Sequence, residues 1–231
     1  MSTKGSAFLR ARRPEHKQQR YDAILAAARE LATAESVNAV SLADIAERVG
    51  MHKSALLRYF ETREEIFLRL AEVEWREWAG AVVADLDDIG PDGDPDRIAE
   101  TIAVSFSDRP LFCQLLLHGP LTLERNVSLD AVRTFKRAAM RAAADVAGAL
   151  HRAMPSLDMA ACVELLAMTA MIASGMWQVV NPPPAVVALH AEPAAGTEVP
   201  DLPELPEFPD VIARFVRVYM AGMQSGSSPS A

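Results

Sequence analysis

The sequence predicts an all-α protein in which a small N-terminal helical unit is joined by a long helix to a larger helical domain. Half of the 231 residues are apolar, which is enough for a full hydrophobic core in one large or two modest domains. Strand-like alternation of Thr, Val, Ile and Tyr is scarce, whereas Ala, Leu, Arg and Glu are abundant. Both observations favour helices throughout the chain.

The chain begins with a segment that we expect to be a flexible basic arm over residues 1–16. This segment is small and polar and contains Pro14. Its cations would suit contact with phosphates or a minor groove, and a solvated tail explains them equally well. The first helix is expected from Glu15 to Ala34, because apolar residues recur there at helical spacing: Ile24, Leu25, Ala28, Leu31 and Ala32.

Two short helices around a tight turn are predicted between Ser41 and Phe60. Ser41 is suited to cap the first helix, with Asp44 completing a capping-box-like pair. Gly50 ends that helix, because glycine adopts the left-handed backbone conformation at little cost. In the second helix, Leu56 and Phe60 lie four residues apart on the buried side. Two short helices joined by a glycine-bearing turn are typical of the DNA-binding helix-turn-helix, whose second helix lies in the major groove.

This segment resembles the N-terminal signature of the tetracycline-repressor (TetR) family over about residues 17–70. The matching residues are Asp44-Ile45-Ala46, Gly50, Leu56, Arg58-Tyr59-Phe60 and Thr62-Arg63-Glu64-Glu65-Ile66.

Three positions depart from the family pattern. Leu57 stands where the family usually has a phosphate-contacting Tyr. Arg63 replaces a Lys that typically contacts a phosphate, and His52 replaces the Ser that caps the recognition helix.

The resemblance implies a DNA-binding surface on the second short helix and its flanks. Lys53 and Arg58 would read guanine edges, and Ala55 would touch a thymine methyl group. Tyr59 would hold a phosphate; alternatively, it packs against the first helix. For Arg58 the alternative is a solvated charge that does not contact DNA. The full set of expected DNA-binding residues, with the other phosphate contacts at Ser41 and Arg63, is Ser41, His52, Lys53, Ser54, Ala55, Arg58, Tyr59 and Arg63.

The distribution of charge supports this interpretation, although the net charge of −8 alone argues against nucleic acid. Residues 1–63 contain eleven Lys and Arg against seven Asp and Glu, a net charge of +4. The rest of the chain contains twelve against twenty-four, a net charge of −12. A basic end on an acidic body is what a DNA-binding protein with a separate second domain would show, because phosphate attraction is local.

Apolar periodicity and turn signals divide the remaining chain. The connecting helix is expected from Thr62, which forms a capping box with Glu65, to about Leu86, and a turn-rich linker follows over residues 85–95. We therefore expect a DNA-binding domain over residues 17–63. The regulatory and dimerisation domain over residues 64–224 would contain helices over 94–107, 109–118, 128–154, 157–180 and 208–224 and a proline-rich loop over 181–207, with a flexible tail over 225–231 after it.

The stretch Met159–Val180 is nearly all apolar over a length that would span a bilayer. Polar residues within it, such as Glu164, and the lack of a basic flank argue against a membrane segment. We expect this helix instead to be buried, partly by another subunit. The resemblance implies a homodimer paired through residues 157–180 and 208–224, whose two reading units bind a palindromic double-stranded DNA operator.

A ligand site is also expected in the second domain. Six of the ten methionines fall between residues 140 and 176, and a methionine-rich lining suits an adaptable apolar pocket, although an ordinary core would show the same spacing. Glu164 would recognise a cationic group there or face the partner at the dimer seam. The residues expected to bind a small, mostly apolar effector are Phe106, Phe135, Met140, Glu164, Met168, Met171 and Trp177.

The sequence contains no Ser/His/Asp spacing, glycine-rich phosphate loop or metal cluster, so we expect neither an enzyme nor a cofactor. His118 is interpreted as a helix C-terminal residue favoured by the helix dipole. Cys113 and Cys162 are expected to be inert core thiols. The N-terminal segment lacks an apolar stretch, which predicts no secretion signal and a cytoplasmic protein.

The sequence predicts a ligand-responsive transcriptional regulator. The resemblance implies a repressor, because most members of the family repress transcription. The resemblance implies that effector binding and operator binding weaken each other, and that the connecting helix transmits this coupling. The alternative is a dimeric regulator whose second domain serves dimerisation or a protein partner and binds no small molecule.

Overall fold

The computed structural model describes residues 4–190 and 207–226, and every regular element within these ranges is helical. The expected all-α class is confirmed. The elements are α1 (Lys4–Ala34), α2 (Leu42–Arg48), α3 (Lys53–Leu56), α4 (Arg63–Ile89), α5 (Pro95–Ser107), α6 (Pro110–His118), a π-helical turn (Gly119–Leu123), α7 (Leu129–Ala153), α8 (Met159–Val180), α9 (Pro184–His190) and α10 (Phe208–Gly226).

Packing divides the described chain into two compact units. The first unit contains the residues up to Glu74 together with His118–Ala138, and the second contains Trp75–Leu117 and the residues from Ala139 onward. This division differs from the expected boundary after residue 63, because residues 118–138 group with the N-terminal unit. A sequence pattern identifies a buried stripe in such a segment but not the neighbour that buries it.

The core of the first unit holds the three N-terminal helices together. Ile24 of α1, Ile45 of α2 and Leu56 of α3 are fully buried. The ring of Tyr21 stacks on Phe60 with 4.7 Å between the ring centroids. The two short helices therefore rest on α1 and do not depend on their own propensity, which is small for elements of this length.

The core of the second unit is filled with aromatic side chains. Trp78 of α4 lies between Phe106 and Phe112, with ring centroids 5.3 Å and 5.4 Å away. The indole Nε1 of Trp78 donates a hydrogen bond to Ser105 Oγ at 3.0 Å, so its polar group is satisfied inside the core. Helix α10 packs against α5 and α8.

The two cysteines are buried in the second unit, as expected. Burial raises the pKa of Cys113 to about 12 and that of Cys162 to about 11. Both side chains are therefore protonated thiols at neutral pH, and a protonated thiol is a poor nucleophile.

Several element boundaries differ from the expectations. Helix α3 ends at Leu56, so Phe60, which was expected in the same helix, lies beyond its end. Helix α1 begins at Lys4, so most of the expected flexible arm is helical; its side chains up to Pro14 lie outside the described residues. Helix α4 continues to Ile89, into the expected linker.

Helix α9 lies inside the expected proline-rich loop. Pro184 is its first residue, a position where proline is tolerated because the missing amide hydrogen has no helical partner there. The remainder of that loop and the end of the expected tail, residues 191–206 and 227–231, lie outside the described residues.

Candidate nucleic-acid interface

The start of α2 is closed by a reciprocal pair of hydrogen bonds. The hydroxyl of Ser41 accepts from the Asp44 amide at 3.3 Å, and the Asp44 carboxylate accepts from the Ser41 amide at 2.7 Å. Hydrogen bonds to the carboxylate, from the Ser41 side chain first and from the Ser41 amide second, hold the pKa of the Asp44 carboxyl below its usual value. The capping box that the sequence predicts is present.

The turn between α2 and α3 depends on Gly50. Its φ of 63° lies in the left-handed region. The amide of Gly50 donates to Glu47 O at 3.0 Å, and that of Met51 donates to Ala46 O at 2.8 Å. These two bonds form the Schellman motif and satisfy the last carbonyls of α2, so that the chain turns directly into α3.

Helix α3 presents a continuous exposed edge. His52, Lys53, Ser54 and Arg58 are exposed, and Ala55 is half-buried. His52 occupies the N-cap position but makes no side-chain capping bond. Lys53 and Arg58 have no ion-pair partner among the described residues. Both cations are therefore available to DNA.

Two residues after α3 differ in their suitability for a phosphate. Tyr59 is half-buried, and its hydroxyl has no hydrogen-bond partner in the part of the chain that the structure describes. Leu57, which is 43% exposed, adds an apolar side chain to the same surface. Tyr59 keeps the donor that the resemblance implies for it, whereas Leu57 supplies none.

Arg63 departs from its expected role. Its Nε donates to the carbonyl of Val40 and its Nη2 to the carbonyl of Val37, both in the connection between α1 and α2. The guanidinium also lies 4.6 Å from the ring centroid of Phe67 and pairs with Glu64 at 3.3 Å. This geometry favours a structural role over the expected phosphate contact, because the guanidinium is already used inside the unit.

His118 belongs to the same unit as Arg63, which the sequence analysis did not anticipate. Burial, reinforced by the positive charge of Arg63, lowers the pKa of His118 below its ordinary value. Desolvation thus outweighs the favourable effect expected from the end of α6. No local pattern could have shown this, since the two residues are far apart in the chain.

The structure does not bring the seven expected effector residues together. Phe106 is fully buried in the aromatic core, and Phe135 lies in the first unit. Trp177 packs edge-on against Phe208 at 5.3 Å. The other four side chains are exposed: Met140, Glu164, Met168 and Met171. The helical pattern could not distinguish an outward methionine from an inward one.

One face of α8 and the neighbouring part of α10 expose apolar side chains. Met171 and Val218 are 66% and 67% exposed. Between the two helices, the Tyr219 hydroxyl donates to Glu164 Oε1 at 2.7 Å, a bond that raises the pKa of Tyr219. Helix α8 is also long and apolar enough to cross a membrane by composition, and a third of the most apolar window is buried. The exposed apolar side chains of this face therefore have no cover within the described chain.

The fold and this interface define a helix-turn-helix DNA-binding protein with a separate helical domain. Residues 24–70 match the bacterial regulatory proteins of the tetR family, and residues 72–226 match the tetracycline repressor-like C-terminal domain. The chain belongs to the TetR family of transcriptional regulators.

Solved structures share this fold. The TetR family regulator PfmR from Thermus thermophilus is 18% identical, with a TM-score of 0.51 over 86% of this chain and 97% of that chain. A transcriptional regulator from Rhodococcus sp. Rha1 is 13% identical, with a TM-score of 0.53 over 91% of this chain and 99% of that chain. A comparison with curated proteins gives no match.

Proposed function

We propose that this DNA-binding regulator is a repressor that acts in the cytoplasm as a homodimer and releases a palindromic operator when a small molecule occupies its second unit. The observation that carries the proposal is the exposed edge of α3, where Lys53 and Arg58 have no partner among the described residues. Cations at these positions suit the O6 and N7 acceptors of guanine in the major groove. Tyr59 and Ser41 supply hydroxyls at the flanks, where phosphates would lie.

The proposed dimer surface is the exposed apolar face of α8 and α10. We name it the α8/α10 face and define it by Val163, Met168, Met171, Val179 and Val218, all of them exposed. A second copy of the same face would remove these side chains from water, and apolar burial is the main driving force for association. The pair formed by Glu164 and Tyr219 lies between the same helices and would be at the seam. Two copies of α3 would then read two half-sites related by a two-fold axis.

One observation favours the alternative of a regulator without a small-molecule effector. Trp78, Phe106 and Phe112 fill the centre of the second unit, and all three are fully buried. An aromatic core packed in this way leaves no space for an apolar ligand at that point.

The DNA-binding part is tested with the DNA upstream of the protein's own coding region, by gel shift at two salt concentrations. Specific binding should survive competition by unrelated DNA and weaken steeply as salt rises. Lys53→Ala should cost about 1–3 kcal/mol of binding free energy, because it removes a base contact. Arg141→Ala, which removes an exposed cation from the second unit, should leave the affinity unchanged. Equal losses in both variants would mean that α3 is not the reading helix.

A further inference from the structure

A groove on the second unit, between α4 and α5, forms a half-open cavity of about 470 Å³. This volume lies within the range of small-molecule sites. The groove contains none of the residues that the sequence suggests for an effector. Its main polar lining is Asp85 and Asp88 of α4, Arg97 and Thr101 of α5, and Asp108 and Arg109 of the turn after α5.

Most charged side chains in this groove are unpaired, whereas neighbouring charged side chains form ion pairs. On the same two helices, Asp87 pairs with Arg152 at 2.7 Å, and Asp96 pairs with Arg217 at 2.6 Å. Glu100, at the edge of the groove, also pairs with Arg217, at 3.3 Å. In contrast, five groove residues make no ion pair or side-chain hydrogen bond to any described residue: Asp85, Asp88, Arg97, Asp108 and Arg109.

Arg109 carries the clearest sign of a missing partner. Its Nε is removed from solvent and has no hydrogen-bond acceptor. A guanidinium N–H that has lost water without gaining an acceptor is unfavourable, so the half-buried Arg109 charge is poorly compensated, and an anionic group against the part of Arg109 that lines the groove would offset it. The backbone holds this side chain in place, because the Arg109 amide donates to Phe106 O at 3.1 Å and its carbonyl accepts from the Cys113 amide at 3.2 Å.

We propose that this groove binds a small dipolar molecule that carries a carboxylate and an ammonium group. The carboxylate lies against Arg109, and the ammonium lies against Asp85 and Asp88 toward the other end of the groove. Both signs of charge line one cavity, so a ligand with both groups meets an opposite charge at each end. Val104 and Ala81 supply apolar wall for the carbon chain between the charged ends.

Two simpler ligands fit the lining less well. In the described part of the chain, no three His, Cys, Asp or Glu side chains are close enough to hold a metal ion, so the carboxylates of the groove suit an organic cation. A simple anion would meet two arginines but also four carboxylates, because Glu100 lines the groove with the three aspartates.

The test is calorimetric titration of the full chain with three probes of equal chain length, in the absence of DNA. These probes are 6-aminohexanoate, which carries both charges, hexylamine and hexanoate. We expect saturable millimolar binding of 6-aminohexanoate, at least about tenfold tighter than either singly charged probe, because each end adds a charge-assisted hydrogen bond. Arg109→Gln should weaken 6-aminohexanoate about tenfold and leave hexylamine unchanged. The double variant Asp85→Asn and Asp88→Asn should weaken both amines.

Matched controls keep folding effects apart from binding. Asp87→Asn and Arg141→Gln change the same residue types outside the groove and should leave all three affinities unchanged. The helical circular dichroism of each variant reports whether the unit folds. Absence of saturable 6-aminohexanoate binding, or equal binding of 6-aminohexanoate and hexylamine, overturns the proposal. Because the titration contains no DNA, its outcome is independent of the proposed repressor function.

Discussion

At the scale of single residues, Gly50 determines how the recognition helix leaves α2. A residue with a Cβ atom in the left-handed region is strained even where space is available, and no atom lies within 4 Å of an added Cβ here. Gly50 is therefore needed for its left-handed backbone conformation and not because a larger side chain would clash.

Gly50→Ala should lower the free energy of unfolding by about 1–2 kcal/mol, because alanine resists a φ of 63°. Denaturant unfolding measures this change. Gly80→Ala is the matched control, since Gly80 is an exposed residue inside α4 with open space around it. That substitution should raise the stability by about 0.5–1 kcal/mol through helix propensity. Equal effects at both positions would contradict the role of the left-handed turn.

Leu57 is a second residue whose chemistry matters more than its packing. It is exposed beside α3 at a position where the TetR signature usually has a phosphate-contacting tyrosine. Leu57→Tyr should tighten operator binding by about 0.5–1.5 kcal/mol, because a hydroxyl would gain one hydrogen bond to a phosphate. Leu57→Phe adds the ring without the hydroxyl and should not reproduce the gain. A gel-shift titration at one fixed salt concentration compares the three proteins, and equal affinities of all three would show that no phosphate lies there.

At the scale of the element, the N-terminus of α4 holds the connection between α1 and α2 through Arg63. The planar guanidinium reaches two carbonyls with two different nitrogens, whereas the ammonium of a lysine is a single point. An arginine at this position therefore holds both carbonyls at once, which a lysine cannot do.

Arg63→Lys should therefore lower the free energy of unfolding by about 1–2 kcal/mol, through the loss of one charged hydrogen bond to a backbone carbonyl. Arg58→Lys is the control, because Arg58 is exposed and unpaired among the described residues. Thermal unfolding followed by circular dichroism gives the two values. If Arg63 instead serves a phosphate, Arg63→Lys would leave stability unchanged and alter only DNA affinity.

At the scale of the whole molecule, the α8/α10 face explains why so apolar a helix as α8 occurs in a DNA-binding regulator. Cys162, Leu165 and Leu166 lie on its buried side, while Met171 points into solvent. In the proposed homodimer a second copy covers the exposed side, and the same pairing supplies the second copy of α3.

Met171→Glu should separate the proposed dimer, because pairing would bury an unpaired carboxylate. We expect the dimer dissociation constant to rise at least about tenfold, with operator affinity falling alongside it. Sedimentation velocity over a range of concentrations measures the first effect. Met140→Glu is the control, since Met140 is 71% exposed on α7, outside the α8/α10 face. Two variants that dissociate equally, or a Met171→Glu protein that remains dimeric, would exclude this face as the interface.

The sequence by itself determined the helical class, the helix-turn-helix and the local capping signals of α2, α5 and α8. The Ser41 and Asp44 cap, the Gly50 turn and the Asp94 and Asp158 caps were all predictable or readable locally, because their hydrogen bonds join residues close together in the chain. The exposure of Lys53 and Arg58 was predictable too, because Leu56 and Phe60 mark the buried side at helical spacing.

Only the tertiary structure decided which distant partner each residue meets. It placed Arg63 on the carbonyls of Val37 and Val40, and it grouped residues 118–138 with the first unit. It also turned Met168 and Met171 outward and lined one groove with charges from α4 and α5. Helical spacing specifies that a stripe is buried or exposed, but the choice of neighbour depends on how whole helices pack, and that choice involves contacts between residues far apart in the chain.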